Sequence, residues 1–227
     1  GLGNMGSRMA GRLLDAGHRL RVYNRTPEKA RALIERGATA SASPAELSGE
    51  SDLVISMVAD GAALERVALA SDGVVAGARQ GLTYVDMSTV SPLESARVAV
   101  VCEPAGISYL RIPVTGSTNL AAAGALVMLV SGPRERFEQF SDVFAQLGQQ
   151  HFYLGPGEEA RVMKLAINML IGNTMVAFGE AVVFAYRSVG VACLKVLLAR
   201  GVRVPLLLTH EDDPKERVWF DSVAALA

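Results

Sequence analysis

Three glycines at the start of the chain have the spacing of a loop that binds phosphate groups. The first six residues are Gly1, Leu2, Gly3, Asn4, Met5 and Gly6. In such a GxGxxG loop the first glycine permits a tight turn, the second lets the backbone approach a pyrophosphate, and the third lets a helix pack closely against a strand. The pattern at residues 5–16 predicts that helix, whose N-terminal N–H groups would stabilise phosphate charge. All six residues are therefore predicted to bind a dinucleotide, although alone the motif also fits an ordinary glycine-rich turn.

The residue that reads the ribose of such a cofactor is expected about 20 positions further on. A predicted strand at residues 20–23 ends there, and Asn24, Arg25 and Thr26 follow it. NAD enzymes have an acidic residue at this point, which accepts a hydrogen bond from the ribose 2′-OH. Arg25 would instead pair with a 2′-phosphate through charge-assisted hydrogen bonds. The sequence therefore predicts NADP, bound by these three residues, unless Arg25 is only a solvated turn residue.

Strands and helices must position these two segments, and the rest of the chain supplies both. Short apolar stretches alternate with amphipathic ones up to residue 154, which is typical of an α/β fold with a mainly parallel sheet. Strands are predicted at 20–23, 53–57, 83–85, 109–112, 126–130 and 152–154. Helices are predicted at 5–16, after Thr26, after a capping box at 43–46, after Pro92 and at 134–147, with a buried loop before the strand at 126–130.

The character of the sequence changes after Gly157. Strand signals stop there, and one helical pattern, rich in alanine, methionine and leucine, runs from residue 158 to about 189. We therefore predict two domains. Residues 1–157 form a Rossmann-type, doubly wound sheet that binds the cofactor, and residues 158–227 form an all-helical domain.

Composition narrows the choice of partners. The chain has 227 residues, half of them hydrophobic, and its net charge of −1 argues against binding to nucleic acid. The two cysteines and three histidines are scattered, so neither a disulfide framework nor a metal site is expected. No apolar run is long enough to span a bilayer. These features predict a cytoplasmic protein that contacts no membrane and acts on a small molecule without a metal.

Four blocks of sequence, in order, resemble the β-hydroxyacid dehydrogenase family, which includes 3-hydroxyisobutyrate dehydrogenases and the glyoxylate and succinic semialdehyde reductases. The blocks are GLGNMGSRMAGRLLDAGH with VYNRTPEKA; Asp86-Met87-Ser88-Thr89 with Pro92; Pro113-Val114-Thr115-Gly116-Ser117; and Gly155-Pro156-Gly157 followed by Met163-Lys164-Leu165-Ala166-Ile167-Asn168. The resemblance runs from the first residue to about residue 189.

The resemblance implies roles for residues in the last three blocks. Thr89 would lie beside the nicotinamide, and Lys164 would be the catalytic lysine. The predicted cofactor site also includes Val58 and the predicted substrate site also includes Ser88. A further substrate loop is predicted at Thr115, Gly116 and Ser117, whose N–H groups and hydroxyls could hold a carboxylate, unless they form an ordinary β-turn.

The proposed lysine chemistry agrees with the residues themselves. Oxidising an alcohol requires a base for the O–H while a hydride leaves carbon, and a lysine can act so if burial lowers its pKa. Lys164 and Asn168 are four residues apart, hence on one helix face, so the amide could orient the same oxygen and bind substrate with the lysine. A lone helical lysine is otherwise most often a solvated side chain.

Two departures from the family stand out. Its strand before the first glycine, which is central in a doubly wound sheet, is absent, so the neighbouring strands should lack a common partner. Beyond Val189 the pattern blurs, and the closing Lys-Asp pair of the family is not recognisable.

The sequence therefore predicts an NADP-dependent oxidoreductase. It would transfer hydride between the nicotinamide and a small β-hydroxyacid or the matching semialdehyde, with Lys164 as general acid and base. A homo-oligomer formed through the helical domain is expected. Two alternatives stay open. An imine reductase shares the GLGxMG start and the NRT turn, although that group lacks the lysine, and a catalytically incomplete module could bind NADP alone.

Overall fold

The computed structural model describes residues 1–184, except for the side chains of residues 175–184. The chain forms two compact units, Gly1–Ala166 and Ile167–Ala227. The domain boundary predicted at Gly157 stays a prediction. The end of the long helix near residue 189, the blurred pattern beyond it, and most of the predicted oligomer-forming domain lie outside the described residues.

The first unit contains a parallel two-stranded sheet and a mainly parallel six-stranded sheet. Its strands are β1 Arg21–Val22, β2 Thr39–Ala40, β3 Leu53–Ser56, β4 Thr83–Asp86, β5 Ser108–Arg111, β6 Val114–Thr115, β7 Leu126–Ser131 and β8 Gly148–Gly155. The pairs β1–β2, β3–β4, β4–β5 and β7–β8 are parallel, whereas β7 runs antiparallel to β5 and β6. All four residues of β4 are buried, as expected for a strand covered on both faces. The predicted α/β fold class is confirmed.

Helices connect these strands. They are α1 Gly6–Asp15, α2 Arg31–Ile34 after a 3₁₀ turn at Pro27–Ala30, α3 Pro44–Gly49, α4 Gly61–Leu69, α5 Val74–Gly77, α6 Pro92–Cys102, α7 Thr118–Ala123, α8 Arg134–Gln139, α9 Ser141–Leu147 and α10 Glu159–Phe184. Ser91 caps α6 in a full capping box with Glu94, while Ser43 caps α3 by accepting from the backbone N–H of Glu46 at 3.0 Å. Among the described residues, no helix is long and apolar enough to cross a membrane.

Three predicted elements differ from the structure. The helix predicted at 134–147 breaks at Phe140, and the break lets the rings of Phe137 and Phe144 stack with centroids 5.2 Å apart. The loop predicted before β7 is largely the helix α7, which Ser117 caps and Gly124 ends at φ 68°. The last strand of the sheet begins at Gly148 rather than at residue 152, because it follows the whole length of β7.

The strands β1 and β3 were expected to lack a common partner. They lie in separate sheets and both line a cleft of about 620 Å³. Met9 and Leu13 from the buried face of α1 also line this cleft.

Candidate active site

Close packing in the glycine loop requires glycine at two of its three glycine positions but not at the third. A Cβ atom on Gly6 would lie 2.0 Å from the carbonyl oxygen of Gly1, and one on Gly1 would lie 2.7 Å from that of Met57. Both glycines are thus required by close packing. A Cβ on Gly3 would meet no protein atom within 4 Å, and its φ is outside the left-handed region. Neither packing nor backbone conformation requires glycine there, so the loop fits a ligand that approaches the backbone closely.

This difference gives a testable prediction. Gly3→Ala should leave the melting temperature unchanged or slightly raised, because alanine restricts the unfolded chain. It should weaken binding of the nicotinamide dinucleotide roughly tenfold, since a methyl group would intrude where the pyrophosphate is predicted to pack. Calorimetry and a fluorescence titration measure the two effects. Gly6→Ala is the matched comparison, and it should lower the melting temperature because its methyl group meets the Gly1 carbonyl. Equal NADPH affinity in Gly3→Ala and the parent would contradict the predicted phosphate contact.

Asn24 joins the glycine loop to the turn after β1. Its Oδ1 accepts from the backbone N–H of Leu2 at 2.8 Å, and its Nδ2 donates to the carbonyl oxygen of Thr26 at 2.8 Å. Arg25 and Thr26 are exposed beside it. None of the ion pairs formed among the described residues includes Arg25. The predicted phosphate-binding and ribose-binding segments are therefore fixed to one another, and the Arg25 guanidinium faces solvent.

A second turn follows β4. Asp86 is fully buried, and its Oδ1 accepts from the hydroxyl groups of Ser56 at 2.5 Å and Ser88 at 2.7 Å. The Ser88 hydroxyl also accepts from the backbone N–H of Val58 at 2.8 Å. These bonds tie together the ends of β3 and β4, and they leave Thr89 exposed at the turn. Ser88 supports the turn from beneath, and its predicted contact with substrate stays a prediction, as does that of Val58 with the cofactor.

Lys164 is buried, with 8 % of its surface exposed, and its Nζ donates to Thr115 Oγ1 at 3.1 Å. Removal from water disfavours the charged form, so burial lowers the pKa of Lys164 below the ordinary lysine value. The lysine is thus not the solvated helical side chain of the alternative interpretation. Two predicted site residues, distant in sequence, are brought into contact. Asn168 lies four residues further along α10 and belongs to the second unit.

The segment around Thr115 is a junction between a strand and a helix. Thr115 ends β6 and pairs with Val127 of β7. Gly116 has a φ of 144°, and Ser117 Oγ accepts from the backbone N–H of Leu120 at 3.3 Å as the cap of α7. The hydroxyl of Ser117 therefore already has a structural partner. Of the predicted substrate loop, Thr115 is the side chain that contacts the lysine.

Comparison with known proteins is decisive for the family. Residues 1–155 match the family described as the NAD binding domain of 6-phosphogluconate dehydrogenase. The chain belongs to this family. The match covers the glycine loop, the NRT turn, the turn after β4 and the Thr115 segment, and it ends at the glycine that precedes the Lys164 helix.

Relatives of this NAD-binding domain include enzymes and a nuclear protein. Glyoxylate/succinic semialdehyde reductase 1 of Arabidopsis thaliana is 37% identical over 188 residues, which is 83% of this chain and 65% of that protein. Cytokine-like nuclear factor N-PAC of Homo sapiens is 37% identical over 185 residues, or 82% of this chain and 34% of that protein. The solved 3-hydroxyisobutyrate dehydrogenase of Mycobacterium tuberculosis with L-serine has a TM-score of 0.76 and 27% identity, covering 90% of this chain and 65% of that one.

These comparisons confirm the predicted relationship to 3-hydroxyisobutyrate dehydrogenases and semialdehyde reductases. The chain spans between about a third and two thirds of the length of these curated relatives. Membership of this NAD-binding domain family is thereby established, and the cofactor and activity of the whole protein are treated below as proposals.

One buried residue of the first unit was missed by sequence reasoning. Arg161 is completely buried and forms an ion pair with Asp86. Its Nε also donates to Ser95 Oγ at 3.2 Å, and its Nη2 to Tyr109 Oη at 3.4 Å. Burial raises the pKa of Tyr109, so this hydroxyl stays protonated. The available signal was an arginine three residues before Lys164 in an otherwise apolar stretch. Within the described residues, no group of three potential metal ligands occurs.

Proposed function

We propose that the protein is an NADP-dependent oxidoreductase that transfers hydride between the nicotinamide and a small β-hydroxyacid or the corresponding semialdehyde. The observation that carries this proposal is the buried Lys164, whose ammonium contacts Thr115 of the predicted substrate loop at 3.1 Å. A buried lysine beside a hydroxyl-bearing loop provides a proton donor and acceptor at the point where a substrate oxygen would lie.

The choice of NADP rests on Arg25. The turn after β1 carries this exposed arginine and no carboxylate at the residues that would face the ribose, Asn24, Arg25 and Thr26. A guanidinium attracts a 2′-phosphate and offers it a planar pair of donors, whereas NAD-specific sites rely on an acceptor for the 2′-OH. The glycine loop and its open Gly3 fit the pyrophosphate of either cofactor.

Reduction of a carbonyl group requires a hydride at carbon and a proton at oxygen, and Lys164 is placed to supply the proton. The glycine loop and the turn at Asn24, Arg25 and Thr26 would hold NADPH, which would supply the hydride for the carbonyl carbon of the semialdehyde. The ammonium of Lys164 donates its proton to the carbonyl oxygen as negative charge develops there, and in the oxidative direction the neutral amine takes the same proton back. Burial lowers the pKa of Lys164, so the neutral amine that accepts the proton forms at a lower pH than in an exposed lysine. Asn168, which the family resemblance places in the site, would orient the substrate oxygen.

The substrate class is supported by the relatives. The Arabidopsis protein is named for glyoxylate and succinic semialdehyde, and the Mycobacterium structure holds L-serine. All three are small molecules with a carboxylate group. We propose that the backbone of Thr115, Gly116 and Ser117 and the Thr115 hydroxyl recognise this carboxylate in the present protein. We also propose a cytoplasmic homo-oligomer that assembles through its helical domain.

The experiment that tests this function is a turnover screen of the full-length protein with NADPH. Glyoxylate and succinic semialdehyde should be reduced, and the methyl ester of succinic semialdehyde should have a kcat/KM at least roughly tenfold lower, because it cannot use donors arranged for a carboxylate. Equal kcat/KM for acid and ester would contradict carboxylate recognition. Turnover of a cyclic imine alone would favour an imine reductase, and NADPH binding without any turnover would favour a catalytically incomplete module.

A further inference from the structure

The guanidinium of Arg161 joins the lysine helix to the turn after β4. Its Nη2 contacts Asp86 Oδ2 at 2.5 Å, and its Nη1 donates to the carbonyl oxygen of Ser88 at 2.5 Å. Ser88 immediately precedes Thr89, the exposed residue predicted to lie beside the nicotinamide. Lys164 lies three residues after Arg161, one turn further along α10. The side chain of Arg161 thus bonds to the turn after β4, while its backbone lies one helical turn before Lys164.

Asp86, the partner of Arg161, is also held in place by hydrogen bonds. Asp86 is fully buried, and the oxygen not used by Arg161 accepts from Ser56 and Ser88. Both oxygens of the carboxylate are therefore satisfied, and movement of the guanidinium would leave a buried charge and a buried carbonyl without partners. Because of this cost, the turn at residues 86–88 and the first turns of α10 should keep one relative position.

We propose that Arg161 is a positioning residue that sets the distance between the nicotinamide turn at Thr89 and the ammonium of Lys164. The role rests on the proposed oxidoreductase function, since it matters only if hydride and proton transfer are coordinated at these two points. Arg161 itself has no contact with reacting atoms in this role. It acts through Asp86 and Ser88 on one side and through its own helix on the other.

The chemistry of the pair favours positioning over stability. A buried ion pair often contributes little net stability, because desolvation of two charges offsets their attraction, and apolar residues of similar volume can replace it. A guanidinium nevertheless offers donors in a rigid plane, and here they reach Asp86, Ser88 and Ser95 at once. Lysine at this position would keep the charge and lose this geometry.

The test compares three variants of the full-length protein. Arg161→Lys should lower kcat for semialdehyde reduction about 10- to 100-fold, the scale expected for misplacement of reacting groups by about 1 Å. The double variant Arg161→Met with Asp86→Leu should have the melting temperature of the parent, whereas its kcat should stay below that of the parent. Arg111→Lys is the matched control, because Arg111 is also buried and pairs with Glu158 beside the start of α10, but its guanidinium bonds to Glu158 and to the Tyr109 carbonyl oxygen rather than to Asp86 or Ser88. That variant should have a lower melting temperature than the parent and a kcat within about threefold of the parent value.

Two further readouts separate positioning from a structural role. With NADPH deuterated at the transferred position, Arg161→Lys should show a larger isotope effect on kcat, because hydride transfer becomes rate-limiting. Recovery of both kcat and melting temperature in the double variant would overturn the proposal, and so would a kcat within threefold of the parent in folded Arg161→Lys.

A binding comparison tests the effect of Arg161 on the nicotinamide turn separately from the oxidoreductase function. Arg161→Lys should weaken NADPH binding several-fold and leave the affinity for 2′-phospho-ADP-ribose, which lacks the nicotinamide, within twofold. A parent that turns over no substrate would refute the proposed function, and this comparison would still report on the turn. Equal changes for both ligands, or no change for either, would overturn the positioning role.

Discussion

Replacement of Lys164 by alanine is expected to lower kcat for semialdehyde reduction at least about 100-fold and up to about 10,000-fold, the range typical of general acid–base groups. The Kd for NADPH should stay within a few-fold of the parent, because the lysine contacts Thr115 rather than the glycine loop or the NRT turn. A loss in kcat with unchanged cofactor binding indicates an interaction made in the chemical step. Stopped-flow reduction at saturating NADPH measures it directly.

The direction in which the parent's rate changes with pH follows from the pKa of Lys164. Burial lowers the pKa of Lys164, so the protonated form required for reduction is lost at a lower pH than for an ordinary lysine. The rate of reduction should therefore fall as pH rises through this pKa, and the rate of oxidation should rise over the same interval. Lys164→Ala should lack this limb in both directions. Added methylamine, a small free amine, should restore part of the lost rate.

Two controls make the lysine experiment specific. Lys164→Arg should not restore kcat, because a guanidinium stays protonated and cannot act as a base. Val162→Ala, a change at an exposed neighbour on the same helix, should keep kcat near the parent value. A Lys164→Ala variant with kcat within a few-fold of the parent would refute the acid–base role, even if NADPH still bound and the fold were intact.

The local motifs were the part of the site that the sequence could predict. The GxGxxG loop, the NRT turn and the Lys164 helix each depend on residues close together in the chain, so spacing and residue type were sufficient to identify them. Membership of Lys164 and Thr115 in one substrate site was predicted, but their direct contact was not, because the two residues are 49 positions apart. The structure supplies the distance and the burial that make the lysine more than a solvated helical residue.

The pairing of Arg161 with Asp86 illustrates what one sequence hides. The two residues are separated by 75 positions, and neither spacing nor periodicity links an arginine in a helix to a carboxylate at the end of a strand. Asp86 lay in a recognised block, yet the visible features of that block were its serine and threonine. Burial of a charged residue is a tertiary property, and it becomes visible only when the strands and helices are assembled.

Two local features were missed for different reasons. Ser117, a run of alanines and Gly124 together indicate a capped and terminated helix at α7, and greater weight on the caps would have identified it. The break at Phe140 has no such signal, because no glycine or proline lies within residues 134–147. There the stacking of Phe137 on Phe144 accompanies the interruption of a segment that is helical by pattern alone.

Replacement of Arg25 by alanine is expected to remove most of a preference for NADPH over NADH. A hydrogen bond to a charged group contributes about 1.5–3 kcal/mol, which corresponds to roughly 10- to 150-fold in the Kd for NADPH. The affinity for NADH, which has no 2′-phosphate, should change little. Arg25→Asp should go further and favour NADH, because a carboxylate repels the 2′-phosphate and accepts a hydrogen bond from the 2′-OH.

Two controls test the role of Arg25: a change in ionic strength, and replacement of an arginine far from the ribose turn. The side chain is exposed, so its attraction for a phosphate should weaken as ionic strength rises, and the parent's preference for NADPH should narrow accordingly. Arg134→Ala removes an arginine that is 64% exposed and pairs with Glu138 on α8, and it should leave both affinities unchanged. Isothermal titration of each protein with NADPH and NADH measures the effect. Equal affinity of the parent for the two cofactors would refute the role of Arg25, since an arginine bound to a 2′-phosphate must discriminate between a ligand that carries one and a ligand that does not.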